Sequence, residues 1–138
     1  MECLKYIKMH STEIRVRYGE TDQMGVVYHG NYAQFLEVAR VEWLRSINIS
    51  YKKMEDDGIM LPVVNLNINF KKPALYDELI VVKTKLREKP GLKITVDQEI
   101  YNKNNDLLTI SEITLVFVNM QTKRPMLCPE DLLLKLGF

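Results

Sequence analysis

Residues 31–47 read NYAQFLEVARVEWLRSI, and their periodicity determines how the rest of the chain is expected to pack. Apolar side chains recur there at steps of three and four residues, which is the spacing of one helix face. These side chains are Tyr32, Phe35, Leu36, Ala39, Trp43, Leu44 and Ile47. Polar side chains, such as Glu37 and Arg45, occupy positions between them. We therefore expect a long helix with a broad apolar surface, which a second layer must cover.

The segment before this helix has the pattern of a strand. Residues 12–18 alternate Ile14, Val16 and Tyr18 with charged side chains, as in a half-buried strand. The polar sequence GETDQMG at residues 19–25 then ends this strand. A strand is therefore expected to lead through a polar loop into the long helix.

After the long helix, the sequence predicts a short helix and then strands. Ser50 can cap a helix that Gly58 closes. The predicted strands cover residues 61–70, 79–87, 92–101 and 107–120, and a short helix follows at 129–136. The last strand, at about 14 residues, exceeds the usual strand length and suggests a bulge or a strongly curved sheet.

This order of elements predicts an α+β fold. Strands joined by short loops pair most readily in the antiparallel sense, and a long apolar helix needs a sheet face to cover it. We expect a curved antiparallel sheet wrapped around the long helix. The length of 138 residues suits one domain, spanning residues 1–138.

The composition argues against several classes of protein. Nineteen Lys and Arg against 18 Asp and Glu leave a formal charge of +1, which disfavours binding to nucleic acid or to a membrane surface. No stretch approaches the run of about 20 apolar residues that spans a bilayer. Cys3 and Cys128 lack metal-ligand spacing, and with two histidines in the chain we expect no metal site. A cytoplasmic protein with reduced thiols is expected.

Reactive side chains and small residues are concentrated between Tyr18 and Arg40, where the strand hands over to the helix. Asp22 falls in the loop, and the residues around the helix start are Tyr28, His29, Gly30 and Asn31. The first N–H groups of a helix have no internal partner, so amides near His29 and Gly30 can stabilise an oxyanion. A nearby carboxylate can attack a carbonyl or activate water. The pattern therefore indicates acyl-transfer chemistry.

Simpler interpretations of these residues remain open. Asp22 can be a turn aspartate that accepts bonds from backbone donors, and His29 can be a hydrogen-bonding residue near the helix start. Glu37 can form an ion pair on the helix surface or approach the site.

The same residues resemble a known family. The sequence is similar to the 4-hydroxybenzoyl-CoA thioesterase-like family of hotdog proteins, particularly the bacterial short acyl-CoA thioesterases that accompany the Tol-Pal cluster. The matching residues fall in the family's order and spacing: Tyr18, Thr21, Asp22, Gly25, residues 27–29, 31–32 and 35–40. The resemblance continues through residues 69–74, 124–125 and 128–129.

The resemblance implies a hotdog fold and hydrolysis of an acyl-CoA thioester without cofactor or metal. It implies that Asp22 is the nucleophile or general base, that an amide near His29 polarises the carbonyl, and that the His29 imidazole assists. Oxyanion or substrate positioning falls to Tyr28, Gly30, Asn31 and Glu37. The family builds its site at a dimer interface, and dimers often pair into tetramers.

Residues outside this motif are the candidates for binding CoA and the acyl group. The CoA phosphates need local cations, and the candidates are Lys71, Lys72, Lys89, Lys93, Lys123 and Arg124. Each of them can equally be a solubilising surface charge. Pro62 and Val64 are candidates for the acyl pocket, with ordinary core packing as the alternative.

Two other functions are compatible with the same fold. The chain can be an acyl-thioester binding or scaffolding protein without turnover, or a hotdog dehydratase that acts on a hydroxyacyl thioester. Acyl carrier protein stays open as an alternative thioester donor. The Asp22 to His29 motif favours hydrolysis, because it resembles the thioesterase group.

Overall fold

A computed structural model describes residues 9–138 of the chain. The strands and helices in chain order are β1 (His10–Arg15), α1 (Tyr32–Ser46), α2 (Tyr51–Asp56), β2 (Ile59–Met60), β3 (Val63–Phe70), β4 (Leu79–Leu86), β5 (Lys93–Tyr101), β6 (Leu107–Val116), β7 (Val118–Asn119) and α3 (Glu130–Lys135). Short 3-10 turns lie at Tyr18–Glu20 and His29–Asn31. Cys3 falls outside the described residues.

The main sheet is antiparallel, and its five strands lie in the order β1-β4-β5-β6-β3. Strands β2 and β7 form a separate two-stranded ribbon. Along β4 and β5 every second side chain is buried. Helix α1 lies across β1 and β4 and buries Phe35, Leu36 and Ala39 in the core. The predicted α+β arrangement, a sheet against one long helix, is therefore confirmed.

The two helices after the first strand agree well with prediction. Helix α1 is preceded by the 3-10 turn at His29–Asn31, so helical structure begins slightly before the predicted residue 31. Ser50 caps α2 as expected, because its Oγ accepts from the Lys53 amide at 3.3 Å. Gly58, at φ +84°, ends that helix in the left-handed region where glycine is favoured. Among residues 9–138, no helix is long and apolar enough to cross a membrane.

Three predicted strands are wrong in their bounds by two residues or more, and the one predicted for 61–70 begins at Val63. The run 107–120 is not one strand, because Phe117 interrupts it and its amide donates to the carbonyl of Leu92 at 3.1 Å. The strand predicted for residues 12–18 ends at Arg15. Tyr18 instead begins a 3-10 turn, and its carbonyl accepts from the Thr21 amide at 3.1 Å.

Strand β3 is the edge of the sheet farthest from β1, and both of its faces are largely exposed. The alternation in residues 61–70 predicts one buried face, yet Leu66 is 42% exposed and Phe70 is 52% exposed. The reason is geometric, because α1 covers the opposite side of the sheet, at β1 and β4. An apolar edge with unpaired backbone groups is a surface on which another strand can pair.

Candidate active site

Asp22 lies in a short hairpin that connects the first strand to α1. The Asp22 amide donates to the Val26 carbonyl at 2.8 Å, and the Tyr28 amide donates to the Glu20 carbonyl at 3.0 Å. The turn closes through the Gly25 amide, which donates to the Asp22 carbonyl at 3.1 Å. Gly25 has φ +78°, a conformation that side chains disfavour. Through these hydrogen bonds, the hairpin holds Asp22 near the residues that start the helix.

The two carboxylate oxygens of Asp22 have different surroundings. Oδ1 accepts a hydrogen bond from the Met24 amide at 2.8 Å, as a turn aspartate does. Oδ2 has no hydrogen-bond partner within residues 9–138. The side chain is partly exposed. One oxygen therefore fixes the rotamer, while the other is available to a carbonyl carbon or to a water molecule.

The 3-10 turn at His29–Asn31 uses two of its backbone N–H groups internally and, within the described residues, leaves two others unpaired. The Asn31 amide donates to the Tyr28 carbonyl at 2.9 Å, and the amide of Tyr32 donates to the His29 carbonyl. No acceptor in the described part of the chain pairs with the amides of His29 and Gly30. Both residues are exposed. These are the orphan donors at a helix start that can bind a developing oxyanion.

The Tyr28 ring lies close over Gly30. A Cβ built at Gly30 would lie 2.7 Å from Cε2 of Tyr28. The Tyr28 ring also packs against the His29 imidazole, with the ring centroids 4.5 Å apart. The Tyr28 ring therefore occupies the space that a side chain at position 30 would need, while the positioning role of Gly30 stays a prediction.

Asn31 joins the helix start to the hairpin. Its side-chain amide donates to the carbonyl of Glu20 at 2.8 Å. The Glu20 carboxylate is buried and accepts from the Arg17 amide at 2.7 Å and from Arg17 Nη2 at 2.9 Å. This pairing raises the pKa of the Arg17 guanidinium. Sequence reasoning missed Arg17 and Glu20, although a charged pair three residues apart just before Asp22 was a readable signal.

An open pocket of about 230 Å³ lies beside His29. Its lining includes Val27, His29, Tyr32, Phe70, Lys71, Lys72 and Pro73. Tyr32 is a buried part of this lining, and its hydroxyl accepts from the Ala74 amide at 3.1 Å. Burial raises the pKa of the Tyr32 phenol. The structure thus brings His29 together with two of the predicted CoA-binding lysines. Lys72 also pairs with Asp106, at 3.4 Å.

The six predicted cations form two groups in the chain. Lys71 and Lys72 follow the end of β3. Lys89, Lys93, Lys123 and Arg124 lie near the opposite end of the sheet, because Lys93 pairs with Val116 and the Arg124 carbonyl pairs with β7. Strand β5, between those ends, runs for about 30 Å at ~3.4 Å per residue. A single chain therefore presents only the first group to the pocket at His29.

The remaining candidates lie apart from this pocket. Glu37 is exposed and lines a different cavity, bounded by α1, α2 and β3. Pro62 and Val64 line neither of these two cavities, whereas Leu61 and Val63 line the one at Glu37. Val64 is displaced because the register of β3 against β6 shifts between Val63 and Asn65. Within residues 9–138, no group of His, Cys, Asp or Glu could hold a metal ion.

Known proteins with similar sequences show which family this chain belongs to. Escherichia coli O157:H7 has an acyl-CoA thioester hydrolase, YbgC, that is 30% identical over 119 residues, covering 86% of this chain and 89% of the relative. YneP of Bacillus subtilis is 39% identical over 113 residues, which is 82% of each chain.

A solved structure supports the same placement. The DHNA-CoA thioesterase of Staphylococcus aureus superposes with a TM-score of 0.83 at 40% identity, over 86% of this chain and 80% of that one. The hotdog fold that the resemblance implied is confirmed by this likeness. Residues 16–136 match the model of the Thioesterase-like superfamily. The chain therefore belongs to the Thioesterase-like superfamily.

Proposed function

We propose that the protein hydrolyses an acyl-CoA thioester to a carboxylic acid and free CoA. The observation that carries this proposal is the free Oδ2 of Asp22 on a hairpin that leads directly to two unpaired amides, at His29 and Gly30. The relatives support the proposal, because YbgC is named as an acyl-CoA thioester hydrolase.

In the proposed reaction, Oδ2 of Asp22 attacks the thioester carbonyl carbon or removes a proton from an attacking water. In the first route a mixed anhydride forms, and water then hydrolyses it. The amides of His29 and Gly30 stabilise the tetrahedral oxyanion in both routes. The thiolate of CoA leaves with little help from an acid, because a thiol pKa is about 8.5. No metal or cofactor takes part, and the His29 imidazole assists.

We propose that Lys71 and Lys72 bind the phosphates of CoA at the mouth of the pocket. Their position beside His29 supports this role. Lys72 is partly neutralised by Asp106, whose pKa is lowered by the Asn102 side chain and by Lys72 itself. Lys71 therefore carries the less compensated charge. Acyl carrier protein stays an alternative donor of the thioester.

We further propose a homodimer in which two copies of β3 pair along their exposed edges. Two copies of β3 related by a two-fold axis are antiparallel, so the Val63 end of one strand lies beside the Phe70 end of the other. The apolar side chains of β3 support this arrangement, because they are exposed in the single chain. The second group of cations of one chain then lies toward the pocket at His29 of the other chain. Pairing of dimers would give a tetramer, and the proposed location is cytoplasmic.

The decisive measurement is release of free thiol from short, long and aromatic acyl thioesters of CoA and of acyl carrier protein. We expect the wild type to release thiol and Asp22→Asn to lose most of the turnover while keeping its fold. Asp131→Asn, on the exposed surface of α3, is the matched control. Full activity in Asp22→Asn would remove the proposed role of that carboxylate. Binding without thiol release would favour a non-catalytic acyl-thioester protein.

A further inference from the structure

A second cavity, of about 200 Å³, lies between α1, α2 and the start of β3. One wall is apolar and is formed by Met54, Ile59, Leu61, Val63 and Leu115. The cavity also has polar lining, which comes from α1 and α2. A hydrophobic pocket with a few fixed polar groups is the usual form of a small-molecule site.

The most unusual lining residue is Arg40, which is 6% exposed. Its Nη1 donates to the side-chain oxygen of Gln98 at 3.1 Å. Gln98 is itself anchored, because its Nε2 donates to the Leu36 carbonyl and to Thr84 Oγ1, both at 3.0 Å. The guanidinium is therefore held rigidly against the inner face of the sheet.

This guanidinium lacks both a counter-ion and a full set of acceptors. No carboxylate within residues 9–138 lies within ion-pair distance of Arg40, and its Nε–H has no acceptor there. A buried charge with an unused donor is costly unless something else solvates it. The Tyr51 hydroxyl lies against this charge and accepts a hydrogen bond from it; burial raises the pKa of that phenol, and Arg40 opposes the shift. The Nε–H of Arg40 is the donor that still needs an oxygen acceptor.

The charges around the cavity decide what kind of oxygen fits. Glu37 and Glu55 also line it, and both are exposed. With Arg40 they give the lining one more negative than positive charge, so a carboxylate in the cavity would be attracted by Arg40 and repelled by both glutamates. A neutral hydroxyl or keto oxygen accepts from Arg40 without that repulsion.

We propose that this cavity binds the far end of the acyl group and that Arg40 donates to a neutral oxygen there. The preferred substrates are then hydroxyacyl or oxoacyl thioesters rather than unsubstituted or dicarboxylic ones. This inference rests on the proposed function for the identity of the ligand. It assigns Arg40 a binding role that selects the acyl group.

The proposed dimer brings this cavity within reach of a thioester. Within one protomer, Arg40 lies on the order of 15 Å from His29 along the helix, at ~1.5 Å per residue. In the dimer, the cavity at the Val63 end of β3 lies toward the partner's Phe70 and the pocket that it lines. The thioester of one site therefore sends its acyl chain toward Arg40 of the other protomer.

The test uses non-hydrolysable thioether analogues of acyl-CoA, so that binding is measured without turnover. Matched pairs carry a methyl or a hydroxyl at the chain end, over a series of chain lengths, with a carboxylate-ended member for each length. At the best length we expect wild type to bind the hydroxyl member about tenfold more tightly than the methyl member. We expect the carboxylate member to bind more weakly than the hydroxyl member.

Two variants assign the discrimination to Arg40. Arg40→Met should reduce the affinity ratio of each pair to about one, with methyl-ended analogues bound as in wild type. Arg40→Lys keeps the charge but lacks the Nε–H, and it should also lose discrimination. Equal affinities for the pairs in wild type would overturn the inference by themselves, even if a variant failed to fold. Discrimination without thiol release from the true thioesters would instead overturn the proposed hydrolysis and leave this inference standing.

Discussion

At the scale of single residues, the site depends on side chains that hold the backbone in place. Asn31 fastens the helix start to Glu20, and Glu20 is itself held by Arg17. Asp22 uses one oxygen to fix its own turn. These bonds would leave the proposed reactive groups, Oδ2 and the two amides, preorganised before a substrate binds.

Replacing Gly30 by alanine tests whether the Tyr28 ring must lie over the two amides. We expect Gly30→Ala to lower kcat/KM for thioester hydrolysis about tenfold, because the new methyl group displaces the Tyr28 ring that shapes the approach. The measurement is steady-state thiol release, with Gly19→Ala as the control, since a Cβ at Gly19 meets no atom within 4 Å. A double variant with Tyr28→Ala should tolerate the methyl group. No further loss from Gly30→Ala in the Tyr28→Ala background would confirm the steric cause.

The layout of this candidate site could be predicted from the sequence, because its parts lie close together along the chain. Asp22 and the helix start both fall within one continuous segment, whereas the catalytic roles came from the family resemblance and stay a prediction. The bond between Arg40 and Gln98 was not predictable in the same way, because it joins residues 58 positions apart. Its existence depends on which strand lies beneath α1, which no local pattern specifies.

At the scale of elements, the turn between β5 and β6 shows how one side chain organises a connection. The Asn102 side-chain oxygen accepts from the amides of Asn104 and Asp106 at 3.0 and 2.9 Å. Its Nδ2 donates to the Asp106 carboxylate at 3.1 Å. Lys72 pairs with the same carboxylate, so the turn is linked to the end of β3 beside the pocket.

Acid should weaken the interactions of the Asp106 carboxylate with Asn102 and Lys72. The pKa of Asp106 is lowered in the folded protein, first by the Asn102 bond and then by Lys72. Because the pKa of Asp106 is lower in the folded chain than in the unfolded chain, where it is near 3.8, the ionised carboxylate stabilises the fold when the pH is above 3.8. This stabilisation is lost as the pH falls through the pKa of the folded state. Wild type should therefore exceed Asp106→Asn in unfolding free energy at neutral pH, and the difference should shrink below pH of about 4. Urea unfolding of both proteins across this range is the measurement.

Element boundaries were less predictable than element types, and the failures have tertiary causes. The run 107–120 is apolar enough for one strand, but Phe117 turns its amide toward the Leu92 carbonyl. The apolar face of β3 was predicted to be buried, because alternation alone cannot distinguish a core face from one that awaits a partner. The side chain of Val64 was hard to place for a related reason, since the strand register shifts between Val63 and Asn65 and breaks the alternation.

At the scale of the whole molecule, the exposed edge at β3 links assembly to the proposed activity. We expect Leu66→Glu to place a charge in the dimer interface and to produce monomers in light scattering. The Leu134→Glu variant, on the exposed face of α3, is the matched control and should remain oligomeric. A monomeric wild type would contradict the proposed interface. Retained thiol release by monomeric Leu66→Glu would show that the site is complete in one chain.

The exposed edge of β3 also implies a threshold in protein concentration. If the pocket at His29 is completed by a second copy, dilution below the dissociation constant of the pair removes activity without any inhibitor or covalent change. The amount of this protein in a cell would then set its catalytic rate more steeply than in direct proportion, because doubling a scarce chain more than doubles the number of complete sites.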